Sequence, residues 1–330
     1  MDKNNIIVSI ICLAYNHEKY IRQCLEGFIM QKTNFTYEVI IHDDASTDKT
    51  ATIIKEYESK FPNIIKPIYQ KENQYSKGIK IGDTFLYPKA RGKYIAECEG
   101  DDYWIDPLKL QKQVDFLEEN PNYTMCCSDA IIKTTESILD WSRYPQNQDV
   151  LIEDIIINGG WFIQTASLIY RKNILDKYPD YCKNCHVGDY PIMLWAGING
   201  KIRWFAEKQV IYHYSMGNSW TSRIKKENIA NLILGWRSEI DMLSGLDSYS
   251  KGKYTQAFRK RKVSFIHKLT VNHPQYYNEI STAFQDVKQL YNKKEIFEDY
   301  FIKIHLYNEM RKIKQAFKYC FRIFKFQHNE

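Results

Sequence analysis

The order of the apolar segments constrains this chain most. Residues 6–13, Ile-Ile-Val-Ser-Ile-Ile-Cys-Leu, form a short β-branched run of the kind found in buried parallel strands. After Asn16-His17-Glu18, a plausible helix start, Ile21, Cys24, Leu25 and Phe28 recur at helical spacing. The pattern then repeats. Residues 38–42 read as a second strand, residues 43–48 as the turn that ends it, and Ile54, Tyr57 and Phe61 as an amphipathic face running up to Pro62. Strand, helix, strand, helix implies a parallel, doubly wound sheet.

Residues 64–69 and 93–98 are the next strand candidates. A helix follows with Asp106 as N-cap, Pro107 at its first position, Leu110, Val114 and Leu117 on one face, and Asn120-Pro121 as the stop. Residues 125–128, 161–170, 202–205 and 209–214 read as further strands around a helix near 191–197. From Arg223 the character changes: Ile229, Leu232, Leu234, Trp236, Ile240 and Leu243 recur at helical spacing. A boundary near residue 222 is therefore expected, with an α/β domain over 1–222 and a helical extension over 223–330.

At 330 residues, with 44% apolar and 26% charged, the chain can bury a sizeable core. Its longest apolar run, residues 6–14, falls well short of the ~20 that a bilayer span needs. Met1-Asp2-Lys3-Asn4-Asn5 lacks the basic start of an export signal, so a cytoplasmic location is expected. The eight cysteines then read as reduced core thiols, and Cys182-Lys183-Asn184-Cys185-His186, which imitates a haem-attachment pattern, as a chance match. Of the net charge of +6, five lie from Phe301 onward, where seven basic residues face only Glu309 and Glu330. Ile313, Phe317, Cys320, Phe321 and Phe324 interleave with those charges. The stretch fits a solvated face, a packing stripe or an interfacial helix on the inner, anionic face of the cell membrane. Positive charge confined to one end argues against a nucleic-acid binder.

Ligands of an open parallel sheet bind beyond the carboxyl ends of its strands. Three polar clusters fall there: Leu13-Ala14-Tyr15-Asn16, Asp43-Asp44 and Glu99-Gly100-Asp101-Asp102. Converging carboxylates repel unless a cation intervenes, and Mg²⁺ or Mn²⁺ takes one or two protein carboxylates and completes its shell with water and substrate phosphates. A diphosphate ligand is the chemistry implied. No G-x-x-x-x-G-K-[ST] and no G-x-G-x-x-G after a strand is present, so phosphate-loop NTPase and dinucleotide oxidoreductase readings drop out.

The motifs in residues 9–16, 38–50 and 90–102, continued through Asp102-Tyr103-Trp104 and Gly188-Asp189-Tyr190-Pro191, resemble glycosyltransferase family 2 over residues 6–222. Its members are inverting enzymes of the GT-A fold, an α/β nucleotide-diphospho-sugar transferase fold with a mostly parallel sheet flanked by helices. The resemblance implies a hexosyltransferase-like, metal-dependent transfer from a nucleotide sugar, UDP-linked, to a glycan or lipid-linked glycan at the cell surface. It implies that Tyr15 stacks on the base while backbone around Leu13 and Ala14 contacts it, with Asn16 also among the donor-binding residues. Asp43 accepts the base's imide proton. Glu99 meets the ribose, Asp101 ligates Mn²⁺ or Mg²⁺, Asp102 supports the loop or touches the donor sugar, and Asp189 is the general base.

Leu13-Ala14 stands where Pro-Thr is commoner, and Glu99 stands for the first Asp of D-x-D. In Tyr212-His213-Tyr214-Ser215, His213 takes the Arg position and Ser215 the His position of the family's Tyr-Arg-x-His. His213 is then the candidate to approach metal or diphosphate. Several of these residues have plainer roles open to them: capping for Asp44, Ser46 and Asp48, helix capping for Asp189, a carboxylate partner instead of the nucleotide for Arg91, and packing or a pocket wall instead of a sugar platform for Trp104 and Trp161. A catalytically silent nucleotide-binding or scaffolding subunit is the alternative function, raised by Glu99 and Ser215.

Overall fold

The computed structural model describes residues 5–214 and 227–303. The chain divides into two compact units, Met1–Glu227 and Asn228–Glu330. Ser215, the expected boundary at 222, Cys320 and the basic stretch beyond residue 303 lie outside the described residues.

The first unit contains β1 (Ile6–Ala14), α1 (Ile21–Ile29), β2 (Thr36–Asp43), α2 (Thr50–Lys60), β3 (Ile65–Tyr69), β4 (Tyr94–Glu97), β5 (Tyr103–Trp104), α3 (Lys109–Glu119), β6 (Tyr123–Lys133), β7 (Ile138–Trp141) and β8 (Gln148–Asp149). It continues with α4 (Ile152–Asn158), β9 (Ile169–Arg171), α5 (Asp180–Lys183), α6 (Asp189–Asn199) and β10 (Lys201–His213). Among the described residues these strands make one sheet, in the order β3-β2-β1-β4-β9-β6-β10-β5, with β7 on β6 and β8 on β10. The pairs β3/β2, β2/β1, β1/β4 and β6/β10 are parallel. β9 enters antiparallel between β4 and β6, so the sheet is mixed where the strand-helix alternation predicts a parallel one.

The apolar run of β1 is buried on both faces. Val8, Ile10 and Cys12 pack with Ile21, Cys24, Leu25 and Phe28 of α1 in one core, each such side chain contributing about 1.5–3 kcal/mol. α1 lies close on β5, and a Cβ on Gly27 would come within 2.9 Å of the Trp104 backbone nitrogen.

Three local expectations change. Residues 161–170 are not a strand: Gly159, at φ 78°, breaks the extended chain, short 3₁₀ turns occupy Gly160–Phe162 and Thr165–Ser167, and only β9 is extended. Arg143 holds the turn by donating to the carbonyls of Trp161 and Phe162. The two strands expected over 202–205 and 209–214 are one, β10, whose pairing with β6 slips between Phe205 and Val210. α3 starts at Lys109, while Asp106 caps the turn before it by accepting the Leu108 N–H at 2.9 Å.

The second unit is helical: α7 (Ile229–Tyr249), α8 (Thr255–Asn272), α9 (Tyr277–Ala283), α10 (Gln285–Lys288) and α11 (Lys293–Lys303). Asn228 caps α7 through the Asn231 N–H, and Ile240, Leu243, Phe258, Ile266, Leu269, Ile280 and Phe284 are buried. Among the described residues no helix is long and apolar enough to cross a membrane.

Candidate active site

The carboxyl ends of β1, β2 and β4 carry three loops, and hydrogen bonds lock the first two together. Asn16, at φ 57°, donates its N–H to Ser46 Oγ, and its side-chain oxygen accepts from the Thr47 N–H. The His17 N–H bonds Thr50 Oγ1. Asp48 accepts from the N–H groups of Glu18 and Thr50, and Glu18 returns a bond to the Lys49 N–H. Asp44 turns the other way and accepts from the N–H groups of Gln74 and Tyr75. Asp44, Ser46, Asp48 and Asn16 are thus spent on holding the loops, which leaves Tyr15, 38% exposed, as the aromatic surface beside them.

Asp43, the last residue of β2, pairs across to Ala14. Its Oδ2 accepts weakly from the Ser46 N–H at 3.4 Å, whereas Oδ1 is buried and has no hydrogen-bond partner. Burial pushes its pKa up, opposed by the Ser46 bonds and by His42. A buried acceptor left open at a strand end is where a ligand donor is needed. The carbonyls of Leu13 and Ala14 already accept from the N–H groups of Gly100 and Asp44.

The third loop, residues 99–102, is drawn under the first. A Cβ on Gly100 would lie 2.8 Å from His17 Nδ1 and 3.1 Å from the Leu13 carbonyl oxygen, so glycine is what lets the loop pass. Glu99 is exposed, and Asp101 is half-buried with its Oδ2 4.0 Å from His17 Nε2. Asp102, 1% exposed, points inward and accepts the His213 N–H at 2.8 Å. Burial, then the charges of Asp101 and Glu99, hold its pKa well above the usual carboxylate range. The His213 bond suits loop support, the first of Asp102's two expected roles, and Asp102 Oδ2 is buried with no hydrogen-bond partner.

His213 is 6% exposed and stacks near Tyr20 and Tyr103. Its Nδ1 meets the Asp101 carbonyl, which can only accept, so Nδ1 carries the proton and Nε2 the lone pair. Burial lowers its pKa. A metal-ligating histidine commonly has this arrangement, with one nitrogen donating to a carbonyl.

Arg91 does not belong to this edge. It precedes β4 and forms a two-pronged bond with Glu38, at the amino ends of the strands. Five residues of β2 separate Glu38 from Asp43, about 16 Å of strand. Of the two roles open to Arg91, the carboxylate pairing is the one the structure shows.

Asp189 opens α6. Thr165 Oγ1 donates to its Oδ2 at 3.0 Å and the Tyr190 N–H to its Oδ1 at 2.7 Å, while burial raises its pKa against the pull of both bonds. Burial, then the charges of Asp102, Glu99, Asp101 and Asp189, push the Tyr212 pKa up. Trp161 packs edge-on against Tyr212 and Tyr214.

Among the described residues no three His, Cys, Asp or Glu side chains cluster to hold a metal. A hard cation that draws most of its ligands from phosphate and water needs no such cluster, and one partly exposed carboxylate fits it. The residues present suit Mg²⁺ or Mn²⁺ with Asp101 as the protein ligand. Motif reading missed His17, which looks like a helix start, and Glu97, a buried strand-end carboxylate bonded by Tyr87 and Tyr170.

The uncharacterized protein Rv1520 of Mycobacterium tuberculosis is 36% identical over 65% of the chain and 61% of its own length. The chain thus spans about three fifths of the curated relatives that it matches in this way. The Escherichia coli protein UDP-Glc:alpha-D-GlcNAc-diphosphoundecaprenol beta-1,3-glucosyltransferase WfaP is 30% identical over 52% of the chain and 61% of its own. The crystal structure of Staphylococcus aureus TarS 1-349 in complex with UDP-GlcNAc superposes with a TM-score of 0.66 at 17% identity, covering 95% of this chain and 92% of that one. The fold is therefore GT-A. Residues 9–179 match the model of Glycosyl transferase family 2, and the chain belongs to that family.

Proposed function

We propose that the protein transfers a sugar, with inversion, from a UDP-linked donor to a hydroxyl of a growing cell-surface glycan, free or lipid-linked. The observation that carries this reading is the set of acidic groups at the carboxyl ends of neighbouring strands: Asp43 ends β2 with a buried, unbonded Oδ1, and Glu99 and Asp101 stand on the loop after β4. Tyr15 stacks on the base, and the open Oδ1 of Asp43 accepts the imide N–H that uracil offers. Glu99 contacts the ribose. Asp189 takes the proton of the acceptor hydroxyl as that oxygen attacks the anomeric carbon; the new C–O bond forms as the bond to the diphosphate breaks, and the electron pair leaves with UDP. When bound at Asp101, Mn²⁺ or Mg²⁺ supplies positive charge against that building on the leaving diphosphate.

The sugar-linked names of WfaP and TarS support the donor class. The basic stretch beyond Phe301, read from sequence alone, suits contact with an anionic cytoplasmic leaflet near a lipid-linked acceptor. A screen of nucleotide sugars for protection against thermal unfolding, with and without Mn²⁺, tests the reading. A UDP-sugar should protect only with the cation present. Protection by no nucleotide sugar under either condition would end it.

A further inference from the structure

His17 sits where the three carboxyl-end loops meet. Its N–H bonds Thr50 Oγ1 at 2.8 Å in the second loop, and its carbonyl accepts the N–H groups of Tyr20 and Ile21 that start α1. The backbone is thereby fixed, and the ring's Nδ1 comes so close to Gly100 in the third loop that a Cβ there would lie 2.8 Å from it. Nδ1 is buried and has no hydrogen-bond partner, while Nε2 faces Asp101 Oδ2 at 4.0 Å.

These positions select a tautomer. A buried N–H with no acceptor costs more than a bare lone pair against a Cα–H, so the proton belongs on Nε2, toward the carboxylate. The remaining separation exceeds a hydrogen bond by about 1 Å. Such contacts are often long before substrate binds and tighten in the complex.

Building on the reading of Asp101 as the carboxylate that meets the donor's divalent cation, we infer that His17 is a positioning residue for it. With the cation bound, an Nε2–H drawn to Oδ2 would orient the carboxylate and leave its other oxygen for the metal. His17 acts through Asp101 and does not itself contact the nucleotide.

Mn²⁺ binding to the full chain, followed by the EPR signal of free Mn²⁺ at saturating UDP, provides the test, alongside UDP affinity without metal and ligand-free melting. His17→Phe keeps a ring but loses the donor and should weaken Mn²⁺ binding about 10- to 100-fold, the usual cost of losing a partner that orients a metal ligand. His17→Gln, whose amide nitrogen reaches the place of Nε2, should restore it; His17→Asn, too short, should not. Metal-free UDP affinity should be unchanged in all three. In an Asp101→Asn background, His17→Phe should have no further effect.

Wild-type Mn²⁺ affinity in His17→Phe and His17→Asn overturns the inference. So does a parallel loss of metal-free UDP affinity, which would mark a structural or nucleotide-contacting role. Failure of the wild-type chain to bind Mn²⁺ with UDP would instead overturn the reading of the site itself, and the role of His17 with it.

Discussion

Asp102 accepts the backbone N–H of His213 across 111 positions of sequence, at 2.8 Å. This bond fastens the acidic loop after β4 to the end of β10. The contact of His213 Nδ1 with the Asp101 carbonyl adds a second tie to the same loop, and His17 Nε2 lies 4.0 Å from Asp101 Oδ2.

Comparing Asp102→Asn with Asp102→Ala isolates that bond, because both remove the buried carboxyl and only Asn keeps an acceptor. The Asn variant should be more stable than the Ala variant by about 1–3 kcal/mol in urea unfolding. Equal stabilities would mean that the bond does not fasten the loop.

Asp43 presents a buried, unbonded oxygen whose burial costs stability in the absence of ligand. Asp43→Ala should weaken UDP binding about 10- to 100-fold by calorimetry, the value of one hydrogen bond to a charged acceptor. The ligand-free melting temperature should stay level or rise. Undiminished UDP affinity would remove Asp43 from the donor site.

Lys109 is 0% exposed, lies over the Trp104 ring and bonds Gln113 Oε1; burial pushes its pKa down to about 7. The unfolded chain, with an ordinary lysine near 10, holds the extra proton between those values, so stability rises with pH from about 7 to 10. Lys109→Met should stabilise the protein by about 3 kcal/mol at pH 7, with the gain shrinking below about 1 kcal/mol by pH 10. An equal gain at both pH values, by urea unfolding, would contradict this.

Thr165 donates to Asp189 and thereby lowers a pKa that burial raises. Thr165→Val should raise the Asp189 pKa. A base works deprotonated, so the acidic limb of the kcat/KM profile should move to higher pH. An unmoved limb with full activity would show that Thr165 does not tune the base.

How much of this was legible in sequence follows from the range of the interactions. β1, α1, β2 and α2 announce themselves by local periodicity, Asp43 by ending a strand and Asp101 by lying in the loop that follows one. The placement of Arg91 follows from strand polarity alone, since a residue just before a parallel strand lies at the amino edge. What sequence hides is pairing over distance: His17 with Asp101, and the slip of β10 against β6 that joins two short runs into one strand. Residues 161–170 mislead because their apolar content matches a strand while Gly159 and the Arg143 bonds to the Trp161 and Phe162 carbonyls impose a turn.

The central claim is that Asp189 is the base of a sugar transfer. Its most direct measurement is the rate of UDP release from the donor named by the Mn²⁺ screen, in wild type and Asp189→Asn, with UDP affinity measured beside it. The rate should fall about 10²- to 10⁴-fold while UDP binding stays near normal. An Asp189→Asn protein that turns over at the wild-type rate would contradict the account.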